Sequence, residues 1–230
     1  MRTHGSIGPS GALGLEVMPQ SWPFLDSPLL KLLRHALPWP GNSRQVNLWR
    51  LRNFPNLWRG LWRVALARAF GFQLAYGGVY LDILHADGSR TPLGLASLRV
   101  VTTAGATKLV DFLRALDTIA ANFKFHGFGT GTNAEAVGDV ALQTEETTQY
   151  AVDNTRPTGS QTNNGATVYR TVGTYSPDSG TNPRPITEHG IFSAASGVSL
   201  LDRSQFAVVN LVPAADSLQA TYDFTINTGG

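Results

Sequence analysis

Residues 217–227 read SLQATYDFTIN, with Leu218, Ala220, Tyr222, Phe224 and Ile226 alternating with Gln219, Thr221, Asp223, Thr225 and Asn227. A period of two sustained this long defines a β-strand with one apolar and one wet face. It closes a series. Residues 122–128, 166–176, 185–195 and 204–212 also read as strands, with turn clusters at 163–165, 177–183, 195–197 and 213–217 between them. Further upstream Val79, Leu81 and Ile83 alternate with Tyr80, Asp82 and Leu84, and the Asp87-Gly88 pair supplies a hairpin turn. One segment breaks the pattern. TKLVDFLRALDTIAANF (107–123) repeats Leu109, Phe112, Leu113, Leu116, Ile119, Ala120 and Phe123 at threes and fours, the period of a helix, with Thr107 as its N-cap. The expected fold is mainly β: an antiparallel β-sandwich over residues 75–230 with one packed α-helix at about 107–123.

Residues 1–74 are different in kind. The first 28 are rich in Gly, Pro and Ser and have no period, which fits an extended N-terminal arm. SPLLKLLRHAL (27–37) predicts a short helix capped by Ser27 and stopped by Pro38 and Pro40. The stretch 47–70 alternates as a strand would near Trp49 and Leu51 and turns helix-like after Asn56, so periodicity leaves both structures open. All five tryptophans fall before residue 63. Residues 1–99 carry a balance of +7 and residues 100–230 one of −5, so the net charge of +2 conceals two regions with different work.

Residues 44–68 hold Arg44, Arg50, Arg52, Arg59, Arg63 and Arg68 with no acid among them, interleaved with Trp49, Phe54, Trp58 and Trp62. Tryptophan and arginine are the anchors of protein interfaces, and arginine pairs well with carboxylates there. Trp22, Trp39, Trp49, Arg50, Arg52, Trp58, Arg59, Trp62 and Arg63 are therefore the candidate docking residues. Plain core and nucleic acid are the less favoured readings, although stacking with phosphate pairing would suit a single strand.

The glycine-rich stretch HGFGTGTNAEAVGDVALQTE (126–145) raises nucleotide binding and fails it. Gly127, Gly129 and Gly131 are followed by no third fingerprint glycine, no βαβ context and no lysine. The three glycines read instead as a structural turn after a strand. Glu188 and His189, adjacent on a strand, point to opposite faces and cannot share a metal. His126 and His189 could meet across strands, where buried hydrogen-bonded histidines are the stronger expectation than a metal site. No nucleophile elbow stands out. Absent cysteine excludes disulfides and thiolate metal sites. The chain is expected to be no enzyme and to use no cofactor or metal. No apolar run of about 18 residues occurs and the start lacks an apolar core segment, so neither a spanning helix nor a signal peptide is predicted.

Five segments together resemble a family of tailed-bacteriophage virion proteins: RVVTTAGATKLVDFL (99–113), FKFHGFGTGTNAEAVGDVALQTE (123–145), YRTVGTYSPD (169–178), ITEHGIF (186–192) and LLDRSQFAVVNL (200–211). The resemblance covers about residues 99–230. It implies a structural role in the virion without catalytic residues, as a capsid decoration or cement protein bound to the major capsid protein and to copies of itself, a trimer being one arrangement. The I-T-E-x-G-I-F segment also echoes tail-fibre and baseplate-type proteins, which leaves a tail subunit as the alternative.

Overall fold

A computed structural model describes residues 33–70, 74–116, 123–147, 150, 153–178, 183–197 and 200–227. A helical turn at 33–36 precedes helix α1, Arg44–Ala69. Strands β1, Leu74–His85, and β2, Arg90–Val100, lead to helix α2, Thr103–Leu113. Six strands follow: β3 Phe125–Gly129, β4 Ser160–Asn163, β5 Val168–Tyr175, β6 Arg184–Phe192, β7 Leu200–Leu211 and β8 Asp216–Asn227. They form two antiparallel sheets, one in the order β2-β1-β8-β5-β4 and one in the order β3-β6-β7. The fold is mainly β, as the alternation implies.

The β1–β2 hairpin turns where the Asp-Gly pair sits. Gly88 takes φ 82°, its N–H donates to the His85 carbonyl at 2.9 Å, and Asp87 Oδ1 accepts from the Ser89 N–H at 2.8 Å. Strand β8 lies between β1 and β5, and Leu218, Ala220, Tyr222 and Phe224 are buried as its pattern requires, with Ile226 exposed at its far end. These side chains meet Val79, Leu81, Phe128, Tyr175, Ile186, Ile191 and Phe206 between the sheets. Strand β4, Ser-Gln-Thr-Asn, is an edge strand with no apolar signature.

Three departures from the sequence expectation have physical causes. First, residues 44–69 of the expected arm are one continuous helix that belongs to the body. Its inner side chains serve both sheet edges: Arg50 Nε donates to the Leu93 carbonyl (2.8 Å), Asn53 Nδ2 to Ala96 (2.7 Å) and Trp49 Nε1 to Ala207 (3.0 Å). Asn53 Oδ1 also accepts from the Ala207 N–H at 2.8 Å, so one side chain ties β2 to β7. Leu57, Leu61 and Val64 pack on Tyr76, Leu95 and Leu98, and Gly60 lies so close to the Leu98 carbonyl that a Cβ could not fit. An exposed strand edge invites pairing with another chain, and α1 removes two such edges.

Second, α2 spans Thr103–Leu113, shorter than 107–123, and its cap is Thr102. The Thr102 hydroxyl accepts from the Gly105 N–H (3.0 Å) and lies 3.1 Å from the Leu200 and Leu201 carbonyls, fixing the helix to β7. The helix stops where Ala115 turns left-handed, at φ 57°. Third, Phe112, Leu113 and Leu116 from the expected apolar face are exposed. Of the described part of that face, Leu109 packs against the core, and Phe123, beyond the helix, is buried within it. The segment 27–32 of the expected short helix and Trp22 lie outside the described residues.

Candidate docking surface and the carboxylate cradle

The outer face of α1 is built by the same residues that obscured its period. Leu48, Leu51, Pro55, Trp58, Trp62 and Leu66 recur at intervals of three and four and all point away from the body. Leu51, Trp58 and Trp62 are 57%, 55% and 54% exposed. Trp58 and Trp62 stack on each other, ring centroids 6.3 Å apart, and Phe54 leans on Trp58 at 5.8 Å. Arg52, Arg59 and Arg63 flank this stripe and are exposed, as is Arg44 at the helix start. Trp39 is also exposed, with the Arg34 guanidinium 5.3 Å from its ring.

The nine docking candidates thus divide. Trp39, Arg52, Trp58, Arg59, Trp62 and Arg63 are on the surface. Trp49 and Arg50 are buried and hold the strand edges, a correction to their expected interface role. Burial suits Arg50 because its guanidinium also donates to the carbonyls of Leu37 and Arg34 (3.0 and 3.3 Å), satisfying a charge removed from water. Trp22 lies outside the described residues.

The glycine-rich stretch does cradle an anion, but the anion is the chain's own. Glu188 is fully buried on β6. Its Oε1 accepts from the backbone N–H groups of Gly131 (3.0 Å) and Thr144 (2.8 Å), and its Oε2 from Gln143 N–H (3.1 Å) and Arg203 Nε (2.8 Å). A Cβ on Gly131 would lie 2.5 Å from Glu188 Oε1, and one on Gly129 2.6 Å from it. A Cβ on Gly127 would lie 2.6 Å from the Phe192 ring. Gly127 and Gly129 lie within β3, a correction to the turn expected of all three, and only Gly131 follows the strand; together they let the loop close over this carboxylate and over the outer face of β3 and β6, where Leu142, Phe192 and Leu200 pack together. Arg203 continues to Asp139 (3.0 Å) and to the Asn133 carbonyl (3.2 Å). Two more carboxylates of the same stretch hold arginines. Glu135 pairs with Arg99, and Glu145 takes Arg156 through both oxygens at 2.5 and 2.7 Å. Such forked, buried contacts are the strong kind. The sequence raised the glycines, and Glu188 only as a metal ligand beside His189; it gave no sign of Arg203 or Arg156 as partners. The only available signal was a lone carboxylate, Glu188, on a strand buried on both faces.

His126 and His189 do meet across strands, Nδ1 to Nε2 at 3.0 Å, with His126 Nε2 3.2 Å from the Thr171 hydroxyl. Both are buried on the face opposite Glu188. Burial holds both rings neutral, pushing His126 down to about 3 and His189 well below its usual value, the latter helped by its neighbour. One ring donates and the other accepts. Among the described residues no group of three or more His, Asp or Glu side chains could hold a metal ion.

Asp202, also buried, has the opposite problem. Loss of solvation pushes its carboxyl up to about 7, and Oδ2 accepts from the Tyr222 hydroxyl at 3.2 Å. At the far end of the sandwich, His85 Nδ1 is 2.7 Å from Asp216 Oδ1 and its Nε2 is 2.9 Å from the Thr91 hydroxyl. This order resembles a hydroxyl–imidazole–carboxylate relay. His85 and Asp216 are, however, directly opposed cross-strand partners, and Asp216 Oδ2 also accepts from the Val212 N–H at 3.0 Å. The set ties the end of the β1–β2 hairpin to the start of β8.

Among the described residues no helix is long and apolar enough to cross a membrane. In comparison with known proteins, the chain matches no family model, no curated protein and no solved structure.

Proposed function

We infer that this chain is a structural component of a tailed-phage virion, a capsid decoration or cement protein that attaches to the major capsid protein. The observation that carries a docking role is the outward stripe of Leu, Trp and Arg on α1. A helix whose inner face already closes the sandwich has no folding reason to expose two stacked tryptophans, and exposed apolar patches of this kind mark interaction sites. The virion setting rests on the resemblance of residues 99–230. The chain's polar resources favour a rigid holder over a catalyst: Glu135, Asp139, Glu145, Glu188 and Asp223 each grip an arginine of the same chain.

The test is quantitative mass spectrometry of purified virions from a host producing this protein. Hundreds of copies per particle support a shell protein. A few to dozens support the alternative, a tail or baseplate subunit, which the I-T-E-x-G-I-F segment at 186–192 favours. Absence from particles refutes both.

A further inference from the structure

We propose that the outer face of α1 is a seam for an acidic amphipathic helix of a different protein. This rests on the docking role above and specifies the partner's chemistry.

The seam has the dimensions of a helix contact. Leu48, Leu51, Pro55, Trp58, Trp62 and Leu66 follow spacings of 3, 4, 3, 4 and 4, close to the repeat by which two helices interlock. From Leu48 to Leu66 the stripe runs about 27 Å at a rise of about 1.5 Å per residue. Arg52 and Arg59 each follow a seam residue by one, where charges on paired helices meet, and Arg63 extends the row. The helix contains no acid of its own. A partner helix with glutamates or aspartates beside its apolar ridge would neutralise this row.

A second copy does not supply that chemistry. Two α1 seams face to face bring arginine against arginine, and like charges opposed across an interface repel. Of the twelve carboxylates in residues 100–230, those at 135, 139, 145, 188 and 223 are already bound to arginines internally, which reduces what a second copy could offer this row. Single-stranded nucleic acid fits less well. Leu48, Leu51 and Leu66 offer nothing to phosphates, and Trp58 and Trp62 are stacked on one another instead of standing open to bases.

The experiment uses the full chain and three designed 28-residue helical peptides. All share one leucine ridge, flanked by glutamate, glutamine or lysine. Binding is read by fluorescence anisotropy. The glutamate peptide is expected to bind at least tenfold more tightly than the lysine peptide. Trp58→Ser/Trp62→Ser should abolish binding, and Arg52→Glu/Arg59→Glu should reverse the preference. Equal affinity for the three peptides, or no binding by any, overturns the proposal. So does tighter binding to a 30-nucleotide single strand or to anionic vesicles, or concentration-dependent dimerisation lost in the tryptophan variant. Iodide quenching of the isolated chain adds one arm. If Trp58 and Trp62 are shielded there, the seam is covered by the chain's own residues and the proposal fails. A positive peptide result with the chain absent from virions would reject the virion setting and leave the seam standing; the converse would reject only the partner.

Discussion

Replacing Glu188 with glutamine tests the cradle at its centre. The carboxylate is fully buried and takes four hydrogen bonds, three from backbone N–H groups and one from Arg203, whose side chain is 4% exposed. Glutamine keeps the shape, removes the charge and turns an NH2 group toward donors. Arg203 is left with Asp139 as its only carboxylate. Breaking a buried pair from one side costs about 3–5 kcal/mol, a large share of the roughly 5–15 kcal/mol that holds a domain folded. Urea unfolding followed by tryptophan fluorescence, at unchanged slope, should show a loss of that size. Arg203→Met and the double variant complete a cycle. The double variant should be less damaged than the sum of the singles by about 1–3 kcal/mol, because each single strands a buried partner that the double does not. A loss under about 1 kcal/mol for Glu188→Gln, or costs that simply add, would refute the cradle as a coupled unit.

Other outcomes follow from the same geometry. Gly131→Ala forces a methyl against Glu188 Oε1 and the Gln143 side chain and should cost about 1–3 kcal/mol in the same urea assay. Trp49→Ala should cost about 3–5 kcal/mol because that ring is buried and bonded to Ala207. Trp58→Ser/Trp62→Ser should stay within about 1 kcal/mol, at about 0.5 kcal/mol or less for each exposed side chain, and equal losses at the two faces of α1 would contradict their assignment. The pH profile has two opposing arms. The unfolded chain protonates its histidines below about pH 6.5, while folded His126 resists until about 3, so stability falls with acid by about 1.4 kcal/mol per pH unit for each such ring. Asp202 holds its proton in the folded state up to about pH 7 while the unfolded chain loses it near about 3.9, so its contribution is lost progressively between those values and is gone above about 7. The two arms therefore oppose each other below about pH 6.5, and Asp202→Asn should steepen the rise of the urea midpoint from about pH 5 to about 6.5; an unchanged slope in that variant would contradict this.

The strands were legible where one face is buried and one is wet. Leu218 to Phe224 alternate because β8 is such a strand, and Asp87-Gly88 marks the β1–β2 turn by backbone geometry alone. Helix α1 was not legible because both of its faces carry the wrong signal. Arg50 and Asn53 are polar yet buried, bonded to strand edges distant in sequence, while Leu51, Trp58 and Trp62 are apolar yet exposed. Periodicity reads contrast between faces, and here the contrast is small. Strand β4 was missed because an exposed edge strand needs no apolar residue. The docking stripe was visible as composition, but its division into core and surface required the helix. The cradle was visible only as glycines, since the carboxylate they enclose lies 57 residues beyond Gly131.

The structure also decides how the docking role must be tested. Removing the first 70 residues would strip α1 from both sheet edges and damage the body itself, so surface substitutions are required. The most direct measurement is binding of the full chain to purified shells lacking it, comparing the native sequence with Trp58→Ser/Trp62→Ser/Arg59→Glu at matched urea stability. A docking role for the outer face of α1 predicts that the native chain binds and the variant does not. Undiminished binding by the folded variant would contradict it.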